Sequence, residues 1–258
     1  MGYKGLTTEL VADAVDNAGW SELADRIRHC SQVVTHWNCH SCGYEWDSPD
    51  RCWHRLCPEC APIRAVRLFE AHRKLTGVKH LKHLVLTIKN VPGLTWSSVT
   101  EVRRYFTRLR HRQLFKTAWR GGIYTIEFTY SQDKGWHIHI HALIDGAYIP
   151  QAVISKHWLD ITGNSQVVWI TGAKNSRQVL KYVLKPTKDL FDDSVALDNF
   201  LGAIAGRHLV AGFGRWYRVT EKQLQGEFCC PKCGSTNIKL CGRRVAGTPF
   251  VPRSPPGD

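Results

Sequence analysis

The clearest pattern in the chain is an alternation of period two. The stretches IYTIEFTY and WHIHIHALI, separated by a turn over residues 131–135, place successive side chains on opposite faces of a strand and predict a β-hairpin. A short apolar run, HLVLTI, predicts a further strand at 83–88, stopped by Asn90-Val91-Pro92-Gly93. Helical spacing predicts helices over 5–30, with Leu10, Val11, Val15, Leu23 and Ile27 inward, and over 61–75, 97–118, 150–161, 176–184 and 194–205. Two more strands are expected, at 166–171 and, as HLVAGF or RWYRV, within 208–219. Mixed element order around a central hairpin predicts an α+β domain on an antiparallel sheet of about five strands with flanking helices. A cysteine-rich segment near the N-terminus and a change to Cys, Pro, Gly and Arg after Glu227 divide the chain into an N-terminal helix and cysteine segment (1–80), a central domain (81–220) and a C-terminal cysteine knuckle with a tail (221–258).

Composition adds a partner. Of 258 residues, 43% are hydrophobic, enough for a sizeable core. Thirty-five Lys and Arg against 22 Asp and Glu give a formal charge of +13. Solubility needs a magnitude of only about 2 to 8, so a polyanion is the expected partner. No stretch reaches the roughly 18 apolar residues of a membrane span, and the polar N-terminus lacks a signal-peptide pattern, so a cytoplasmic location and no membrane partner are expected. In that compartment ten closely spaced cysteines point to metal rather than disulfides.

Two histidine and cysteine constellations carry the chemistry. His137, His139 and His141 alternate with Ile138 and Ile140, so all three imidazoles leave one strand face. If Tyr130 lies opposite Trp136 across the turn, Glu127 lies opposite His139. Such a nitrogen and oxygen set leaves open positions on Mg²⁺ or Mn²⁺ for a phosphate oxygen. Among the cysteines, Cys39-x-x-Cys42 and Cys57-x-x-Cys60, 14 residues apart, predict two knuckles on one structural Zn²⁺, with Cys52, His40 or His54 able to replace a ligand. Cys229, Cys230, Cys233 and Cys241 offer a second zinc site or the remnant of a ribbon whose partner pair is lost. Arg103, Arg104 and Arg108 on the basic helix, and Trp136 beside the histidines, are candidate DNA contacts, the tryptophan by stacking on an unpaired base.

Downstream, RQVLKYVLKP places Tyr182 and Lys185 on one helix face. A tyrosine hydroxyl, with a pKa of roughly 10, needs a nearby cation and a polarised phosphate to act as a nucleophile. The succession HLVLTIKNVPG, WHIHIHALID and LKYVLK, with RLCPEC before it, resembles the motifs of the HUH endonuclease superfamily, specifically the replication initiators of rolling-circle plasmids, over roughly residues 52–185. The resemblance implies an HUH-like fold and a metal held by His139 and His141, with His137 as an additional upstream histidine. It further implies Tyr182 as the one nucleophile, joined to the 5′ end of nicked single-stranded or hairpin origin DNA, and a host helicase and polymerase as partners. Some members carry a glutamate one turn before the tyrosine, associated with finishing the reaction with water; here Gln178 stands at that position.

Three other readings compete. A transposase of single-stranded elements would use the same chemistry. HIHIHAL also fits the signature of histidine-triad nucleotide hydrolases, in which the middle histidine attacks phosphate without metal, although those proteins end soon after the triad. A non-enzymatic zinc-knuckle DNA-binding protein would leave the histidines idle.

Overall fold

The computed structural model describes residues 5–71, 78, 81–173, 188–217 and 228–249. The chain is α+β, as the element order predicts. Its centre is an antiparallel five-stranded sheet with strand order β6-β3-β5-β4-β7, formed by β3 (Lys82–Thr87), β4 (Trp119–Ser131), β5 (Gly135–Gly146), β6 (Val168–Gly172) and β7 (Val210–Gly214). The β4–β5 hairpin has the register that alternation predicts, pairing Tyr130 with Trp136 and Glu127 with His139. Its turn closes at Gly135, whose φ of 69° lies in the left-handed region that glycine enters without a Cβ clash.

One face of this sheet is the core. Leu84, Leu86, Tyr124, Ile126, Ile138, Ile140, Ala142 and Phe213 project to it and pack beneath α4 (Trp96–His111), α6 (Gln151–Thr162) and α8 (Ser194–Ile204), which supply Phe106, Leu109, Trp158 and Leu197. A four-residue helix, α7 (Lys188–Phe191), precedes α8. The same core continues into α1 (Thr8–Asn17) and α2 (Ser21–Arg28) through Val11, Val15 and Ile27, with the Trp20 indole donating to Asp198 on α8 at 2.9 Å.

Two predicted helices are each divided. The pattern over 5–30 breaks at Gly19, where φ is 85°. The helix over 97–118 becomes α4 and α5 (Gln113–Ala118), because Arg112 between them is extended at ψ 140°. Its guanidinium reaches His157 Nδ1 at 2.6 Å and pairs with Asp160 on α6, so a tertiary contact overrides local helix propensity. The helix expected over 61–75 forms as α3 (Cys60–Ala71). The helix expected over 176–184 lies outside the described residues.

A second sheet was not foreseen. β1 (Val33–Cys39) pairs with β2 (Glu45–Pro49) on one side and with β8 (Ile238–Val245) on the other, all antiparallel. These strands, VVTHWNC, EWDSP and IKLCGRRV, are short and polar, and Asp47 and Asp50 join them through His36, Thr35, Arg243 and Arg244. The two cysteine-rich segments at opposite ends of the sequence thus share one sheet.

Candidate metal centres and basic cleft

Strand pairing fixes what the open face of the large sheet presents. In β5 the odd positions His137, His139 and His141 point away from the core; Thr125 and Glu127 on β4 lie beside them, with Val85 and Thr87 on β3 directly opposite His141 and His139. The His137 and His139 rings are 4.0 Å apart, and His139 and His141 5.9 Å apart. Glu127, although paired with His139 in register, makes its hydrogen bond diagonally, accepting from His141 Nε2 at 2.7 Å. With Nε2 engaged by a carboxylate, His141 Nδ1 is left to accept from His83 Nε2 at 3.3 Å. His83 is a member of this face that sequence reading missed. It stacks at 5.5 Å on His141 and meets Trp169, half exposed on β6, edge-on at 5.6 Å.

Burial lowers the His139 pKa to about 4 and lowers that of His137, so both imidazoles are neutral near pH 7 and keep a lone pair for a ligand bond. His139 Nδ1 and Thr125 Oγ1 are buried on this face without a hydrogen-bond partner among the described residues. An orphaned ring nitrogen beside a carboxylate fits a hard or borderline divalent cation. The histidines nevertheless form a row, not a closed sphere. Among the described residues, the groups whose ligand atoms converge within 4.8 Å are two cysteine quartets.

Those quartets correct the expected zinc ligands. Cys57 and Cys60 join Cys30 and Cys52, and Cys39 and Cys42 join Cys230 and Cys233. Sulfur separations of 3.4 Å (Cys30–Cys60), 3.7 Å (Cys52–Cys60), 3.6 Å (Cys39–Cys233) and 3.7 Å (Cys42–Cys230) approach the roughly 3.8 Å edge of a tetrahedron with Zn–S bonds of about 2.3 Å. All ten cysteines are free thiols. Each quartet could hold one Zn²⁺. The grouping of Cys39, Cys42, Cys57 and Cys60 fails because β1 carries the first pair to the sheet that β8 completes, whereas the second pair opens α3 against the core. Cys229 and Cys241 belong to neither quartet. Cys30, just beyond α2, lacked the C-x-x-C spacing that flags a knuckle.

In the core quartet the Cys57 thiol falls to about 5, first through its contact with Cys52 and then through the Cys60 and Glu59 amides. At Cys39 burial pushes the thiol up, but the amides of Cys42 and Ser41 and the Cys233 thiol outweigh it and bring it down to about 7. Both are preparations for thiolate ligation.

The arginines lie elsewhere. Arg103, Arg104 and Arg108 line a cleft of about 930 Å³ between α4 and β7, together with Arg110 and Arg207. Its floor includes Tyr124 and Phe213, which face the core side of the sheet, so it lies across the sheet from the histidine row. Trp136 is 1% exposed and stacks on Phe200 at 5.9 Å, so it is a core residue and offers no surface to a base. Tyr182, Lys185 and Gln178 lie outside the described residues. Ala173, the last described residue before them, packs with Leu81, Ile123 and Leu143 on the histidine side of the sheet. No helix among the described residues is long and apolar enough to cross a membrane. No protein-family profile, curated protein or solved structure matches the chain.

Proposed function

We propose that the protein is a metal-dependent DNA-nicking strand transferase of the HUH type that opens an origin for rolling-circle replication. The observation that carries this reading is the open sheet face, where neutral His137 and His139, the His83–His141–Glu127 chain and an orphaned His139 Nδ1 lie together. His139, His141, Glu127 and His137 are the residues that would hold Mg²⁺ or Mn²⁺. The ion would polarise a scissile phosphate oxygen. With the ion on His141 Nε2 in place of the N–H that meets Glu127, the ring proton would sit on Nδ1 and be accepted by His83 Nε2, as outer-shell partners do for ligating histidines.

Tyr182 supplies the nucleophile. Its hydroxyl loses a proton and its oxygen bonds to phosphorus, while the P–O3′ bond breaks and the 3′ oxygen takes up a proton to leave as a free hydroxyl. The 5′ phosphate stays esterified to the tyrosine, and no atom changes oxidation state. Lys185 offsets charge developing on the phenolate. A transposase of single-stranded elements would share each of these steps.

The test is a denaturing gel of labelled single-stranded origin DNA incubated with the protein and Mn²⁺. A covalent adduct is expected that vanishes in Tyr182→Phe and with chelator, and that falls at least about tenfold in His139→Ala. An adduct that survives Tyr182→Phe removes the tyrosine assignment. Nucleotide hydrolysis without metal favours the histidine-triad reading instead.

A further inference from the structure

The α4–β7 cleft combines strong positive charge with missing partners. Five arginines and His111 line it, and no carboxylate does among the described residues. Two of the arginines are held rigidly. Arg207 lies 3.7 Å over the Trp96 ring and donates to Thr100 Oγ1 at 2.6 Å. Arg110 lies 4.5 Å over Phe213 and 5.1 Å over Phe106, and donates to Thr107 at 3.3 Å. The Nε atoms of both are buried without an acceptor among the described residues. Burial lowers both guanidinium pKa values, and Arg103 lowers that of Arg207 further.

A partly buried cation without a counter-charge is costly, and folding alone gives no reason to set two of them beside three further arginines. Stacking on aromatic faces leaves the guanidinium edges, apart from the N–H that each gives to a threonine, to the planar recognition of oxyanions. Thr107 adds a hydroxyl of the kind that also contacts phosphate.

We propose that this cleft is a phosphate-binding site for a polynucleotide backbone, separate from the histidine face and on the opposite side of the sheet. A polynucleotide is favoured over a free nucleotide because the arginines extend along α4 from Arg103 to Arg110, with Arg104 and Arg108 exposed beyond the anchored pair. The chain's +13 charge points the same way. Nucleic acid nicked at one face would then be gripped at a second place. The site does not depend on the nicking chemistry.

The test is fluorescence anisotropy of the full chain with a labelled 30-nucleotide single strand and a 30-base-pair duplex across a salt series. Arg104→Gln/Arg108→Gln/Arg207→Gln is compared with wild type and with the charge-preserving Arg104→Lys/Arg108→Lys. Three lost phosphate contacts are expected to lower the log–log salt slope by about 2 to 3 and affinity at 100 mM salt at least tenfold, whereas the lysine variant keeps the slope. Circular dichroism and zinc content confirm that each variant is folded. Because Arg207 also packs on Trp96, Arg104→Gln/Arg108→Gln alone provides a surface-only variant, expected to lose about 1.4 to 1.8 of slope. Unchanged slopes in the folded variants overturn the site. Arginine-dependent binding of ATP with oligonucleotide binding unaffected overturns the polynucleotide and assigns the cleft to a mononucleotide. Nicking of a short oligonucleotide covering only the cleavage site is followed in parallel. Loss of salt slope with short-substrate nicking retained supports the cleft as a site apart, while absence of nicking in wild type leaves the binding result to stand alone.

Discussion

The two cysteine quartets use the same chemistry in opposite structural settings. Cys30, Cys52, Cys57 and Cys60 come from one continuous stretch, and three of the four are 0 to 7% exposed within the main core. Cys39 and Cys42 meet Cys230 and Cys233 from the far end of the chain at the edge of a small polar sheet, with Cys42 and Cys233 exposed. A metal in the first consolidates a core that already includes α1, α2 and the main sheet. A metal in the second is a clasp: it closes a long chain loop and holds β8 against β1, with little apolar burial to share the task. Tetrahedral zinc would therefore do two jobs, one through packing and one through topology.

The largest effect should come from breaking the first. Structural zinc binding is worth about 10 to 16 kcal/mol of apparent folding free energy, more than most domains possess in total. Cys60→Ser should therefore lose one zinc and global structure together, read by metal stoichiometry and circular dichroism. Cys230→Ser should also lose one zinc but leave the five-stranded sheet intact. Hydrogen exchange would then accelerate over Ile238–Val245 and Val33–Cys39 and stay slow in β3–β6. If Cys230→Ser unfolds the whole chain, the clasp is part of the global fold and the contrast collapses.

The contrast also shows what the sequence could and could not disclose. Strand alternation is a local signal, so the hairpin, its register and the placing of Glu127 opposite His139 were all legible in IYTIEFTY and WHIHIHALI. The C-x-x-C spacings were likewise legible as half-sites. Which half-site meets which is decided by strand pairing between residues about 200 apart, and β8 carries no apolar alternation to announce it. Proximity along the chain therefore joined the wrong halves. His83 escaped for a related reason: it reads as one polar residue opening an apolar run, and only the β3–β5 pairing brings it to His141. Trp136 was misplaced because it follows the turn beside the histidines, yet its even position in the alternation puts it on the core side. The alternation that placed the histidines should have buried it.

Acid titration sharpens the comparison further. A thiol whose folded pKa is depressed favours the folded, ligating state above its unfolded value near 8.5, and that contribution is lost as pH falls through the folded pKa. Cys39 and Cys57 are both depressed, while their neighbours Cys233 and Cys60 are pushed up, so acid supplies protons that compete for ligands in both quartets. Because Cys42 and Cys233 are exposed whereas Cys30, Cys57 and Cys60 are buried, protons reach the clasp before they reach the core. A zinc indicator should record release in two steps, the first accompanied by faster exchange in β8 and no global change, the second by unfolding. Release in a single step, or unfolding ahead of it, would contradict independent sites.

The smallest effect is expected where sequence spacing alone predicted ligands. Cys229 is exposed and adjoins Cys230, and Cys241 lies in β8 with its sulfur near the Lys239 carbonyl at 3.8 Å, three residues beyond Ile238, the strand's pairing partner for Cys39. A knuckle needs both sulfurs aimed at one centre by a tight turn, and Cys230-Pro-Lys-Cys233-Gly already provides it, with Gly234 at φ 75° returning its amide to the Cys230 carbonyl at 2.9 Å. Cys229→Ser/Cys241→Ser should keep two zinc per chain and shift stability by no more than about 0.5 kcal/mol, the ordinary range for surface substitutions. Loss of a zinc in this double variant would mean that the clasp draws its ligands from within the C-terminal segment, and the pairing of chain ends through Cys39 and Cys42 would have to be abandoned.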